Sequence, residues 1–250
     1  ADDVFKRYIH IYPIRLKAGD HTLEIKTNYS CEFCNRKFVK EKTLFTHVCE
    51  TKRRWLEKDK LGNRLGFQSF VQFYKKHTSA KKTKTYDEFI RSPYYVAFVK
   101  FGNYCSDINA LNISRFVDYL LSNQTSIDNW TSDKVYTEYL IDHLKKEDPF
   151  DAIARSVETI FELAESESIQ AKDIFKYGNP NKICYAITTG KISPWMLYQS
   201  NSGIHLLETL NPDQVRMITD YINPELWALK FHREPDVTRK IRDTLKQAGY

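Results

Sequence analysis

The chain has 250 residues, of which 42% are hydrophobic and 14% aromatic, enough apolar side chain to fill a packed core, which excludes a disordered protein. Eight glycines and eight prolines favour helix over a strand-and-turn architecture. No run approaches the roughly 18 apolar residues of a membrane span, and no secretory leader is read at the start. The net charge of +6 is unevenly spread: residues 31–84 hold 15 Lys or Arg against 5 Asp or Glu, so the rest of the chain is net acidic. Confinement of this kind is the footprint of a phosphate-binding surface; a solvated helix face followed by a lysine-rich loop is the plainer reading.

In chain order, the first thirty residues contain two β-leaning runs around Ala18-Gly19-Asp20 and predict a short hairpin, with Pro13 confining its strand to an edge. The stretch CEFCNRKFVKEKTLFTHVC then runs from Cys31 to Cys49. Two cysteines three apart, twelve residues to His47, and Phe38 and Leu44 between them give the layout of a ββα zinc finger. The hairpin knuckle supplies two thiolates and a helix supplies the later ligands. So short a module cannot bury enough apolar area to fold alone, so Zn2+ must contribute folding energy. The predicted ligands are Cys31, Cys34, His47 and Cys49, with His77 or Cys105 as alternatives for the fourth. The ending departs from the usual finger, because Thr51, Lys52 and Arg53 occupy the places of a second histidine. Residues two apart on a helix face opposite ways, so the helix must tighten or end at Val48 for His47 and Cys49 to share an ion.

A basic helix is expected from Lys40 through Trp55 to about Lys60, broken at Leu61-Gly62-Asn63, which makes residues 31–63 the finger domain. Finger geometry aims Lys40, Thr43 and Thr46, with Lys42 alongside, at base edges, and leaves Arg36, Lys37, Lys52, Arg53 and Arg54 for phosphates. One finger spans about three base pairs, so either further contacts come from elsewhere or binding is largely independent of sequence. Nucleic acid, double-stranded DNA by preference, is the favoured partner, and a finger presenting its helix to protein is the alternative.

Residues 64–250 read as a helical domain, giving a mainly α protein: a small ββα zinc finger with an N-terminal hairpin, then an all-helical body. Phe67, Phe70, Val71 and Tyr74 recur at helical spacing. Helices follow at 86–105, interrupted by Pro93, at 114–121 and at 132–146. The run from Phe89 to Cys105 is rich in aromatics; Phe98, Phe101, Val96 and Val99 are read as core, with one of Tyr94 and Tyr95 exposed. Asp148-Pro149, Ser193-Pro194, Asn211-Pro212 and Asn223-Pro224 each set a capping side chain before a proline that has no N–H to lose. They mark helices at 149–166, 194–199, 212–222 and 224–231; others are expected at 181–189 and 235–248. Cys105 and Cys184 sit in apolar helical patterns as buried thiols, which suits a reducing, cytoplasmic setting.

No Gly-rich phosphate loop, H-E-x-x-H, G-x-S-x-G or nuclease carboxylate pattern occurs. His143, His205 and His232 read as structural or solvent-facing. Lys182, Lys191 and Trp195 form the densest mixed polar and aromatic segment of the second half, a ligand surface or a helix corner. An enzyme with an unfamiliar helical active site, and a finger that is purely structural within an assembly, stand as the other readings.

The string from Cys31 to Cys49, the Lys52-Arg53-Arg54 run, Gly66-Phe67, FIRSPYYVAFVKFG and KISPW together resemble zinc-finger-bearing proteins of large tailed bacteriophages, including those of cyanobacteria. The resemblance implies the cytoplasm of an infected bacterium, and DNA or the transcription, replication or virion machinery as partners. It implies no mechanism.

Overall fold

Residues Tyr29–Ser30 (β1) and Lys37–Phe38 (β2) pair antiparallel, with Tyr29 opposite Phe38 and Ser30 opposite Lys37. The computed structural model describes residues 29–77 and 83–250. The hairpin read around Ala18-Gly19-Asp20 lies outside them. The described fold is mainly α, one two-stranded hairpin followed by helices. By contacts the chain divides into two units, one reaching to Val99 and one running from Lys100 to Tyr250.

In the first unit the hairpin leads into α1 (Glu41–Thr46), α2 (Glu50–Leu56) and α3 (Leu61–His77). The single basic helix expected over residues 40–60 is therefore replaced by two short ones. His47 and Cys49 are both extended, at ψ 122° and 166°, and they turn the chain between α1 and α2. The expected break at Leu61-Gly62-Asn63 is instead the start of α3. Asn63 is held there by donating to the Glu57 carbonyl at 2.8 Å and to the Tyr95 hydroxyl at 3.2 Å.

Helix α4 (Tyr86–Arg91) opens with a reciprocal cap in which Thr85 accepts from the Glu88 N–H and the Glu88 carboxylate accepts from the Thr85 N–H. Ser92-Pro93-Tyr94 separates it from α5 (Tyr95–Asp107). Phe70, Phe89, Tyr95 and Phe98 build the core of this unit, with ring centroids 4.8–5.5 Å apart in the Phe70–Phe89, Phe70–Phe98 and Phe89–Tyr95 pairs. Only glycine fits at position 66, because a Cβ there would stand 2.6 Å from the Phe98 carbonyl oxygen. Tyr95 is buried and Tyr94 is 48% exposed, so the pair splits as its spacing requires. Val96 is exposed, contrary to its reading as core. It is the helix position next to Tyr95 and points away from the face that Tyr95 and Phe98 bury.

The second unit continues with α6 (Ile113–Ser122), α7 (Asp133–Lys146), α8 (Pro149–Glu167), α9 (Ile174–Tyr177) and α10 (Pro180–Thr188). It closes with α11 (Pro194–Gln199), α12 (Asn201–Thr209), α13 (Pro212–Ile222), α14 (Pro224–Arg233) and α15 (Pro235–Gln247). Asp148, Ser193, Asn211 and Asn223 all accept N–H bonds at helix starts as their spacing predicts, and Asn179 does the same before Pro180. Helix α12 was not legible, because Ser200 caps it directly after α11 with no proline to announce it.

Two aromatic clusters hold this unit. Phe101, Phe116, Trp130, Tyr136 and Tyr139 form one, with Phe116 stacked on Tyr139 at 4.7 Å. Trp195, Trp227 and Phe231 form the other. Cys105 and Cys184 are buried free thiols, and burial pushes the Cys105 thiol up to about 12. Among the described residues no helix is long and apolar enough to cross a membrane.

Candidate metal centre

The site is built from one hairpin and one break between helices. Asn35 adopts φ 57°, a left-handed conformation that asparagine tolerates, and closes a turn in which its N–H donates to the Cys31 carbonyl at 2.7 Å. The Cys31 N–H in turn donates to the Arg36 carbonyl at 2.9 Å. This knuckle carries Cys31 and Cys34 on one side. His47 ends α1, with its N–H bonded to the Leu44 carbonyl, and Cys49 caps α2 by accepting the Lys52 N–H on sulfur at 3.5 Å.

The four ligand atoms of Cys31, Cys34, His47 and Cys49 lie within 4.8 Å of one another. Sγ of Cys31 and Sγ of Cys49 are 3.9 Å apart, and Sγ of Cys34 is 3.3 Å from Nε2 of His47. A tetrahedral ion with metal–sulfur bonds of about 2.3 Å sets its sulfurs about 3.8 Å apart, so the donor set fits a four-coordinate metal by type and by spacing. Cys49 is within reach of a shared ion because α1 ends at Thr46 and the extended residues before α2 turn its sulfur toward the other three donors.

The surroundings favour thiolate at Cys34. A backbone N–H bond from Arg36, then the His47 ring, draw the Cys34 thiol down to about 7, while burial raises Cys31. Lys52 Nζ donates to the His47 carbonyl at 3.0 Å, which brings a cation to the turn that carries His47 and Cys49. The Phe38 ring lies 4.8 Å from the His47 ring, and Leu44 is buried beneath, so both predicted core positions are used. Phe33 reaches Trp55 at 5.8 Å, and Arg91 donates to the Glu32 carbonyl; both tie the knuckle to the helices of its own unit.

The residues expected at nucleic acid divide into two sets. Arg36, Lys37, Lys40 and Lys42 are exposed, and no hydrogen bond or ion pair to a described residue engages their charged groups; Arg36 rests over the Phe38 ring at 5.6 Å. Thr43 is exposed, and the Thr46 hydroxyl is turned back onto the carbonyls of Lys42 and Thr43. The expected phosphate run from Lys52 to Arg54 is largely spent within the fold. Arg53 forks onto Glu50 at 2.7 and 3.1 Å, and together with Arg54 it holds the Glu50 carboxyl down to about 2. Arg54 also donates to the Ile90 carbonyl at 2.9 Å and lies 4.4 Å over the Tyr95 ring, so it has a structural role within its own unit.

Sequence reasoning passed over the apolar surface of the finger, where Val39, Phe45 and Val48 are 77%, 73% and 59% exposed. The signal was available: Leu44 faces the core, so its helical neighbour Phe45 is turned out.

In the second unit, Lys182 and Lys191 line an open cleft of about 420 Å³ with Thr159, Glu162, Asn181 and Tyr185. Trp195 is fully buried and takes no part in it, and Lys182 is paired with Glu167 at 3.1 Å. The unit's buried charges are closed off. Glu147, 5% exposed, accepts two bonds from Arg155 at 2.6 and 2.8 Å, and His143 lies beside it, also buried. No protein-family model, curated protein or solved structure matches the chain.

Proposed function

We propose that the chain is a zinc-finger nucleic-acid-binding protein, in which Zn2+ on Cys31, Cys34, His47 and Cys49 holds a basic surface made of Arg36, Lys37, Lys40 and Lys42. The observation that carries this reading is the exposure of those four cations without intramolecular salt partners among the described residues. Three thiolates and one imidazole around a divalent ion leave the centre with one negative charge, so the metal itself does not attract phosphate. Attraction falls to the side chains, and Lys52 offsets the centre's charge from within. Zinc is favoured by the sulfur-rich tetrahedral donor set and would act through structure alone, with no position left for water. The phage resemblance adds a setting, the cytoplasm of an infected bacterium, with transcription, replication or virion machinery as further partners.

Fluorescence anisotropy of the zinc-loaded chain against labelled DNA across a salt series tests the reading. Four phosphate contacts predict a slope of about −3 to −4 in log K against log salt. Each of Arg36, Lys37, Lys40 and Lys42 changed to Ala should flatten it by about one unit or less. Arg54→Ala should lower stability and leave the slope alone. Absence of binding at low salt would overturn the proposal.

A further inference from the structure

Helix α1 carries an exposed cation and an exposed aromatic ring together. Phe45 is 73% exposed on α1, and Lys42, one turn before it, shares its helix face. Lys40, directly before the helix, and Arg36 and Lys37 on the hairpin add three more cations, while Glu41 is the single acid on that helix. The core gains nothing from this ring, because Leu44 and Phe38 already occupy the inward positions. A duplex would offer Phe45 only sugar, phosphate and groove edges such as a thymine methyl, because its base faces are stacked on one another. An unpaired base offers a flat π-face joined to a phosphate that a neighbouring lysine can reach, the combination used by proteins that hold single strands.

We propose that Phe45 is a stacking platform and that the ligand class of this finger is single-stranded nucleic acid, its phosphates held by Lys42, Lys40, Arg36 and Lys37. The inference rests on the nucleic-acid reading above and narrows it, replacing duplex DNA as the preferred partner. Stacking on a phenyl ring is indifferent to base identity and to the 2′-hydroxyl, so DNA and RNA strands should bind alike through this contact.

The test compares the full zinc-loaded chain against labelled oligothymidylate, oligouridylate and an oligothymidylate–oligoadenylate duplex. Phe45→Ala should weaken both single strands by about five- to 150-fold, the range of one aromatic–base stack, and leave the duplex and the salt slope unchanged. Phe45→Trp should hold or improve the affinity. Unchanged Co(II) uptake by the variants would show that the finger still assembles. Equal binding of duplex and single strands with no effect of Phe45→Ala would overturn the stacking role and spare the nucleic-acid reading. Binding to none of the three probes would overturn both and assign the exposed Phe45 to a protein partner.

Discussion

The finger and the C-terminal unit bury very different amounts of apolar side chain. Between Tyr29 and Cys49 only Cys31 and Leu44 are buried hydrophobic residues, whereas the unit from Lys100 onward buries Phe116, Trp130, Leu140, Trp195 and Trp227 almost completely. At about 25 cal/mol per Å2 of apolar surface, a few such side chains contribute more than the whole finger core can. Metal ligation in peptides of the finger's size supplies about 10–16 kcal/mol, so under the proposed zinc reading the ion would provide most of the finger's folding energy. The largest effect should follow from removing the ion. Chelation, or Cys31→Ser or His47→Ala, should abolish amide protection across residues 29–49 and leave protection across α6 and α10 intact, as read by hydrogen exchange. Simultaneous loss in both regions would break the contrast.

The C-terminal unit has its own exposure to acid. Burial, with Arg115 and Arg155 nearby, lowers the His143 pKa to about 4, while Asp142 opposes the shift. The folded state therefore holds a neutral imidazole where the unfolded chain, near 6.5, takes up a proton first. Its contribution is present above about pH 6.5 and is lost as pH falls toward 4. From pH 7 to pH 5 the loss is about 2 kcal/mol. Glu147 acts the other way, since burial raises its carboxyl against the pull of Arg155. The difference between the native chain and His143→Gln cancels that opposing effect. Urea midpoints at pH 7 and pH 5 should fall further for the native chain than for the variant, and parallel shifts would remove His143 as the cause.

What was legible in the sequence follows from how local each determinant is. The Cys31, Cys34, His47 and Cys49 cluster was readable because four candidate donors within nineteen positions follow one spacing, and the helix starts because cap and proline are adjacent. The break between α1 and α2 was foreseen as a requirement of His47 and Cys49, yet the helix was still extended to residue 60, since Glu50 to Leu56 are good helix formers. The role of Arg54 was out of reach: its partners Ile90 and Tyr95 lie more than thirty residues away in sequence, and nothing in a lysine–arginine run says which member turns inward. The pairing of Glu147 with Arg155 was hidden for a related reason. It joins the end of α7 to the second turn of α8 across a capped break, at a separation of eight residues, too far for the i, i+3 or i, i+4 pairs of a single helix.

The smallest effect separates capping from ligation. Asn211 accepts from the N–H groups of Asp213 and Gln214 at 3.0 Å, and its own N–H donates to the Gln214 side-chain oxygen at 3.0 Å. Asn211→Ala should cost about 1 kcal/mol in a urea titration, and Asn211→Asp should cost almost nothing, because either oxygen serves the same N–H groups. Cys49 occupies the equivalent place before α2, with its sulfur on the Lys52 N–H. If capping were its main task, Cys49→Asp would be as mild as the exchange at Asn211, since aspartate is the better cap. Ligation instead predicts that Cys49→Asp weakens Co(II) uptake and loosens residues 29–49 while α2 keeps its start. One exchange, made before two helices, thus separates what Cys49 contributes as a helix cap from what it would contribute as a metal ligand.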